Sequence, residues 1–361
     1  MRIAFLNTWW PGRMAGSGTA AGIAGLASGL RRLGHEVTEL TGGASSGSLL
    51  ARLAANLRLR RQLAEGDFRL AVGFDFDGLL CRPRPASRFV VCLKGIAADE
   101  RRFERGLPRL QLGCQALLEG ANARRAARVV VTSDYCQLMA VETYGLDPGR
   151  LRVVPEGIDL AEWNGSRRPV GGAGEVRAPT ARGAGAPVVL NVARQYPRKD
   201  TRSLLAAVPR LRARHPDLTV RVVGGGPELP RLAALVERLG IGAGVRLLGP
   251  LPTDEAVRQE YRDATLFCLA SRQEGFGIVL LEAMAAGLPI VACRSGAVPE
   301  VVTDGETALL VPPRDPEALA EALLALLADP DRRRRMAEAG RERARRHDWP
   351  RVAAEFLERV T

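Results

Sequence analysis

Residues 271–282 read Ser-Arg-Gln-Glu-Gly-Phe-Gly-Ile-Val-Leu-Leu-Glu. Two carboxylates, Glu274 and Glu282, are eight residues apart across a turn that holds Gly275 and Gly277, and an apolar helix is expected to open at about Ile278. Glycine lets a backbone approach a ligand closely. The first N–H groups of a helix have no partner inside it and carry partial positive charge, which suits phosphate. Carboxylates on either side of such a turn accept hydrogen bonds from hydroxyls. The pattern therefore fits a ligand that carries both phosphate and many hydroxyls, with Glu274 at one end and Glu282, just over one turn into the helix, at the other.

Cations are the second source of chemistry. The chain holds 52 basic residues, and only Lys94 and Lys199 are lysine. In a chain that uses arginine almost everywhere, a lysine marks a place where a compact, freely rotating ammonium suits better than a planar fork. Lys199 and Arg194 follow an apolar strand candidate, and two cations on one such loop can stabilise charge on a leaving group. Lys94 also ends a strand candidate, in Val91-Cys-Leu-Lys94.

Further segments fit one pattern in one order. They are Asn191-Val-Ala-Arg194 with Lys199-Asp200, Gly224-Gly-Gly-Pro227, Glu282-Ala-Met-Ala-Ala-Gly-Leu-Pro, Gly296-Ala-Val-Pro-Glu300, Asp304-Gly305 and Leu310-Val-Pro-Pro-Arg-Asp-Pro316. Together with the Glu-x7-Glu spacing they resemble the retaining nucleotide-sugar glycosyltransferases of the GT-B fold, the family-four type related to sucrose and glycogen synthases. The resemblance runs from Arg2 to about Trp349 and is strongest between Leu190 and Asp315. It implies an α/β chain of two Rossmann-like, doubly wound domains facing a cleft. It implies transfer of a hexose from a nucleoside diphosphate sugar, of the UDP-glucose or GDP-mannose type, to a hydroxyl acceptor with retention of configuration.

The same resemblance implies the roles. Arg194 and Lys199 hold the diphosphate, Glu274 the sugar hydroxyls and Glu282 the ribose. Gly16, Gly18, Gly224, Gly275, Phe276, Gly277 and Ile278 complete the donor site. No metal and no cofactor are implied. The chain departs from the family in three places: Asn191 and Asp200 stand where glycine is usual, and Lys94 stands where a histidine is usual. Lys94 thus joins Arg194, Lys199 and Glu274 as a catalytic candidate.

Elements that could position these residues alternate along the chain. Strand candidates at 3–6, 36–40, 70–74, 89–93, 129–132 and 151–154 are separated by amphipathic segments such as 20–33 and 111–125. The alternation restarts at 188–192, 219–223, 245–248, 266–269, 290–292 and 308–311. Strands separated by helices predict a parallel, doubly wound sheet. With the resemblance, the expected division is an acceptor-side domain at 1–164, a linker or extended loop at 165–187, a nucleotide-sugar domain at 188–346, and a last helix at 347–361 that, as in the family, crosses back.

Composition bounds the rest. The 361 residues are 46% hydrophobic and 25% charged, which is ordinary for a globular chain long enough for two cores. No apolar run approaches a membrane span. The first residues read as a buried strand rather than a signal peptide. Six scattered cysteines without metal spacing fit a reducing cytoplasm. The net charge is +12 and favours anionic partners. No nucleic-acid motif or base-stacking series accompanies it.

Four segments admit rival readings. Gly16-Ser-Gly-Thr-Ala-Ala-Gly22 resembles a dinucleotide turn, with Glu39 as a ribose acceptor in an NAD-dependent oxidoreductase. The match is loose, however, and the loop after the first strand is too long for a tight turn. Asp75-Phe-Asp77 has the Asp-x-Asp look of a metal site, and also fits the acceptor side or a cap. Arg101, Arg102, Arg105 and Arg109 form a positive patch that suits an anionic or lipid-linked acceptor, or else an exposed helix paired with Asp99, Glu100 and Glu104. Residues 48–63 combine leucines with Arg52, Arg58, Arg60 and Arg61, a pattern for peripheral membrane contact or for packing on the sheet. Within the fold, an epimerase, a hydrolase or an inactive sugar-nucleotide-binding protein stands beside the transferase reading.

Overall fold

A computed structural model describes residues 1–8, 18–44, 48–81, 88–164 and 185–361. Its chain forms two compact units. Met1–Gly157 with Trp349–Thr361 make the first, and Ile158–Asp348 the second. The proposed linker falls largely on 165–184, outside the described residues.

Each unit is built on a six-stranded parallel sheet. In the first, β1 (Arg2–Asn7), β2 (Glu36–Thr41), β3 (Leu70–Phe74), β4 (Arg88–Leu93), β5 (Arg128–Val131) and β6 (Leu151–Val153) lie in the order β2-β1-β3-β4-β5-β6. In the second, β7 (Val188–Val192), β8 (Thr219–Val223), β9 (Val245–Gly249), β10 (Leu266–Leu269), β11 (Ile290–Cys293) and β12 (Ala308–Val311) lie in the order β12-β11-β10-β7-β8-β9. All twelve expected strands form. They read as near-continuous apolar runs because helices cover both faces of each sheet: the first sheet lies between two apolar clusters, around Leu6 and Val91 on one side and Phe5 and Phe74 on the other. The second lies likewise, around Val220 and Leu323 on one side and Phe267 and Leu280 on the other. A strand buried on both faces cannot afford a polar alternation.

Strand order reverses between β1 and β3 in the first unit and between β7 and β10 in the second. In open parallel sheets the crevice at such a reversal, beyond the carboxyl ends of the strands, is where ligands bind. The final helix, Trp349–Val360, returns to the first unit and packs on the helix Gly18–Arg32. Gly25 and Gly29 make that contact possible, since a Cβ at either would collide with Trp349.

Candidate active site

In the second unit the reversal between β7 and β10 carries the residues singled out in the sequence. After β7, Arg194 lies in the turn, Lys199 ends a 3-10 segment (Pro197–Lys199), and Asp200 begins the helix Thr201–Arg214. After β10 comes Glu274. The Lys199 ammonium donates to both oxygens of Glu274, at 2.6 and 2.7 Å, and both side chains are nearly buried. Residues 75 positions apart are thus joined across the crevice. Burial acts to raise the Glu274 pKa, but the charges of Lys199 and Arg198 and bonds from Lys199 and Ser271 outweigh it and hold the carboxyl below its ordinary value.

The backbone around Glu274 is held from both sides. Gly277 (φ 94°) precedes the helix Ile278–Ala286, so its N-terminus opens beside Glu274. Gly296 (φ 52°) lies against the main chain of residue 274, where a Cβ would collide, and Ala297 N–H donates to Glu274 O at 2.9 Å. Gly224 (φ 113°) similarly abuts Ala193, which ties the loop after β8 to the turn that carries Arg194. Arg194 lies against Tyr196, its guanidinium 5.7 Å from the ring centre. Its Nε is buried with no hydrogen-bond partner among the described residues, an arrangement that an anion would complete.

The two departures from glycine have structural uses. Asn191 Nδ2 donates to Cys268 O at 2.9 Å and pins β7 to β10. Asp200 has φ 45°, a left-handed conformation that asparagine and aspartate tolerate best after glycine. It accepts from Ser203 Oγ and lies in the field of Arg272, Arg202 and Arg314. Arg198, Arg272 and Arg314 are additions to the expected set. Burial and the neighbouring Arg314 charge lower the Arg272 pKa, against Asp200. The site is thus more cationic than Arg194 and Lys199 alone.

Glu282 has a partner that sequence reasoning missed. Tyr261 Oη donates to its carboxylate at 2.7 Å. The Tyr261 ring stacks on Phe267 and meets Trp163 edge-on. Burial raises the Glu282 pKa, with Tyr261 opposing. His347 is half-buried against Phe276, ring centres 6.0 Å apart.

In the first unit, Lys94 is also in an ion pair. Its ammonium donates to Glu156 Oε1 at 2.7 Å, with both side chains nearly buried. Its backbone N–H donates to Asp75 Oδ1 at 3.0 Å. Asp75 is buried with φ 57°. Burial raises its pKa to about 6, against the Lys94 N–H bond and the charge of Arg52. Asp77 is fully buried and accepts from Thr8 N–H at 2.8 Å, from Thr8 Oγ1 and from Arg52 Nη2 at 3.1 Å. Arg52 also lies 4.0 Å over the Phe76 ring. Asp75-Phe-Asp77 is therefore a buried clasp at the reversal between β1 and β3.

That clasp accounts for one basic residue of 48–63, in keeping with the packing alternative. Arg52 points inward from the helix Leu49–Glu65, not toward a membrane. Leu59 and Leu63 pack inward while Leu50 and Leu57 are exposed. Arg101 and Arg105 are exposed. Arg102 pairs with Asp99 at 3.1 Å, and Tyr135 Oη donates to Asp99 at 2.6 Å. Gly18 opens the helix Gly18–Arg32, whereas Gly16 lies outside the described residues. No described helix is long and apolar enough to cross a membrane.

Two family descriptions match this chain. Residues 16–162 match Glycosyltransferase Family 4, and residues 174–343 match Glycosyl transferases group 1. The chain belongs to the GT-B glycosyltransferases. A D-inositol 3-phosphate glycosyltransferase of Corynebacterium urealyticum is 36% identical over 238 residues, 64% of this chain and 55% of the relative. A GDP-mannose-dependent alpha-(1-6)-phosphatidylinositol monomannoside mannosyltransferase of Mycolicibacterium smegmatis is 41% identical over 162 residues, 43% of this chain and 42% of the relative. The chain thus spans about half the length of the curated relatives it matches. Among solved structures, a sucrose-phosphate synthase from Thermosynechococcus elongatus superposes with a TM-score of 0.78 at 22% identity, covering 99% of this chain and 97% of that one. This likeness of GT-B glycosyltransferases extends over both units.

Proposed function

We propose that the protein transfers a hexose from a UDP- or GDP-sugar to a hydroxyl of a phosphorylated polyol, with retention of anomeric configuration. The observation that carries this reading is the Lys199–Glu274 pair across the β7/β10 reversal, beside the N-terminus of the helix Ile278–Ala286. It joins an anion binder to a hydroxyl acceptor in one crevice. The named relatives favour the acceptor class, since both names contain an inositol phosphate or its lipid. The basic surface with Arg101 and Arg105 suits an anionic or lipid-linked acceptor of that kind.

In this reading the diphosphate lies against Arg194, Lys199 and the first N–H groups of the helix. Lys199 then divides its protons between phosphate and Glu274, and Glu274 accepts from the sugar hydroxyls. The bond from the anomeric carbon to the phosphate oxygen breaks as the acceptor oxygen forms its own bond on the same face. The acceptor proton passes to the departing diphosphate. Charge grows on that diphosphate in the transition state, and the fixed cations around it are where stabilisation is concentrated. No side-chain base is required, which accommodates Lys94 where the family has histidine.

A thermal-shift screen of nucleoside diphosphates and their sugars tests the reading, because a ligand that binds only the folded state raises its stability. A rise in midpoint with UDP, GDP or their hexose conjugates is expected. No response to any of them would refute it.

In this reading Glu282, on the helix beside Tyr261, meets the ribose rather than the reacting bond. Glu282→Gln should raise the donor KM with kcat nearly unchanged, because a ribose contact is similar in ground and transition states. The wild-type donor KM should also rise as pH falls through the raised Glu282 pKa, since the protonated acid accepts ribose hydroxyls less well. Steady-state kinetics against pH check both statements. A loss confined to kcat would assign Glu282 to the chemical step instead.

A further inference from the structure

The two lysines of the chain share one arrangement. Lys199 pairs with Glu274 beyond the carboxyl ends of the second sheet, and Lys94 pairs with Glu156 beyond those of the first. Lys199–Glu274 belongs to the proposed donor site. Nothing in the donor chemistry accounts for Lys94–Glu156, which lies in the other unit.

Stability alone is a poor reason for the Lys94–Glu156 pair. Taking both charges out of water offsets most of their attraction, and apolar side chains of the same volume often hold a fold as well. Yet three features fix this pair in place. Asp75 accepts from the Lys94 backbone N–H and sets where the side chain departs. Gly22 leaves space for the Glu156 carboxylate, which a Cβ there would strike. Leu26, Val130, Val154 and Trp349 line, together with Lys94 and Glu156, a cavity of about 20 Å³, and these apolar neighbours strengthen the pair's attraction. An ammonium has three protons to donate. Glu156 takes one and fixes the direction of the others.

We propose that Glu156 is the positioning residue for Lys94, and that the ammonium so held donates to the ring hydroxyls of a polyol, the acceptor, bound by the first unit. The inference rests on the transferase reading above and adds to it the residues that receive the acceptor. Lysine suits the task because its compact head can keep its bond to the carboxylate and still offer two protons to hydroxyl oxygens, whereas a guanidinium is larger and fixed in geometry.

Calorimetric titration tests it with two probes, D-inositol 3-phosphate and free inositol, in the presence of the nucleoside diphosphate that stabilises the wild type. The proteins are wild type, E156Q and the exchanged pair K94E/E156K. Wild type should bind D-inositol 3-phosphate, and E156Q should bind it at least about tenfold more weakly, 1.4 kcal/mol of binding free energy. K94E/E156K restores opposite charges and should recover the thermal midpoint lost in E156Q, but not polyol binding, because the ammonium has moved. All three should bind the nucleoside diphosphate alike. Equal polyol binding by the three proteins, or none by wild type, overturns the inference, and so does recovery of polyol binding in the exchanged pair. Failure of wild type to bind any nucleoside diphosphate would instead count against the transferase reading.

Discussion

Lys199→Ala should nearly abolish turnover and also weaken the second unit. Two losses combine. The first is catalytic: removing a fixed charge from the place where negative charge develops costs about 3–4 kcal/mol, or roughly 10²–10³ in kcat. The second concerns the fold. Glu274 is only 4% exposed, and taking away the partner of a buried charge costs about 3–5 kcal/mol. The two are separable. Lys199→Met with Glu274→Gln removes both charges, so it should recover much of the stability and none of the activity. The pH dependence has a definite sign. The Glu274 pKa is held below its ordinary value in the folded state, so the pair's contribution is present above the unfolded value and lost as pH falls through the folded one. In Lys199→Ala that part of the acid sensitivity should shrink. Chemical denaturation at several pH values, with single-turnover kinetics, reads all of this. Wild-type turnover in Lys199→Ala would remove Lys199 from the donor site.

Residues close in sequence, or whose roles depend on local backbone, were legible without a structure. The six-fold alternation of apolar runs predicted every strand, since a doubly covered parallel strand must be apolar along its length. Gly277 was read as part of a glycine turn, and its φ of 94° is one that few other residues adopt. The sequence also brought forward Arg194, Lys199, Glu274 and Glu282. Partners across the fold were not legible. Tyr261 reaches Glu282, Glu156 reaches Lys94 over 62 positions, and Arg52 reaches Asp77 over 25. Each contact depends on strand order, which periodicity does not contain. Residues 48–63 show the cost: counted along the helix, Arg52 joined a basic face, whereas in the fold it turns inward. The spacing of Asp75 and Asp77 left its alternatives open for the same reason, because a short acidic pair reads alike whether it faces solvent or an arginine.

Asp77→Ala should unfold the first unit well before the second. Asp77 is 0% exposed and holds Thr8 after β1, Arg52 on the helix Leu49–Glu65 and its own loop after β3. Truncation leaves the Arg52 guanidinium, 4% exposed, without its counter-charge. The expected loss is about 3–5 kcal/mol, or roughly 6–20 °C in the midpoint for a unit of this size. Asp77→Asn should lose less, because its carbonyl oxygen can still accept from the Thr8 N–H while the charge is gone. If the clasp is structural, activity per folded molecule should be little changed in Asp77→Asn, and wild-type activity should survive EDTA, since in the proposed donor site Arg194, Lys199 and a helix terminus offset the diphosphate charge. The Asp-x-Asp metal reading makes the opposite forecast on each count. It expects Asp77→Asn to fold with a wild-type midpoint and lose activity, and chelation to abolish turnover until manganese restores it. Differential scanning calorimetry of both variants, beside donor turnover with and without chelator, decides between an arginine clasp and a metal ligand.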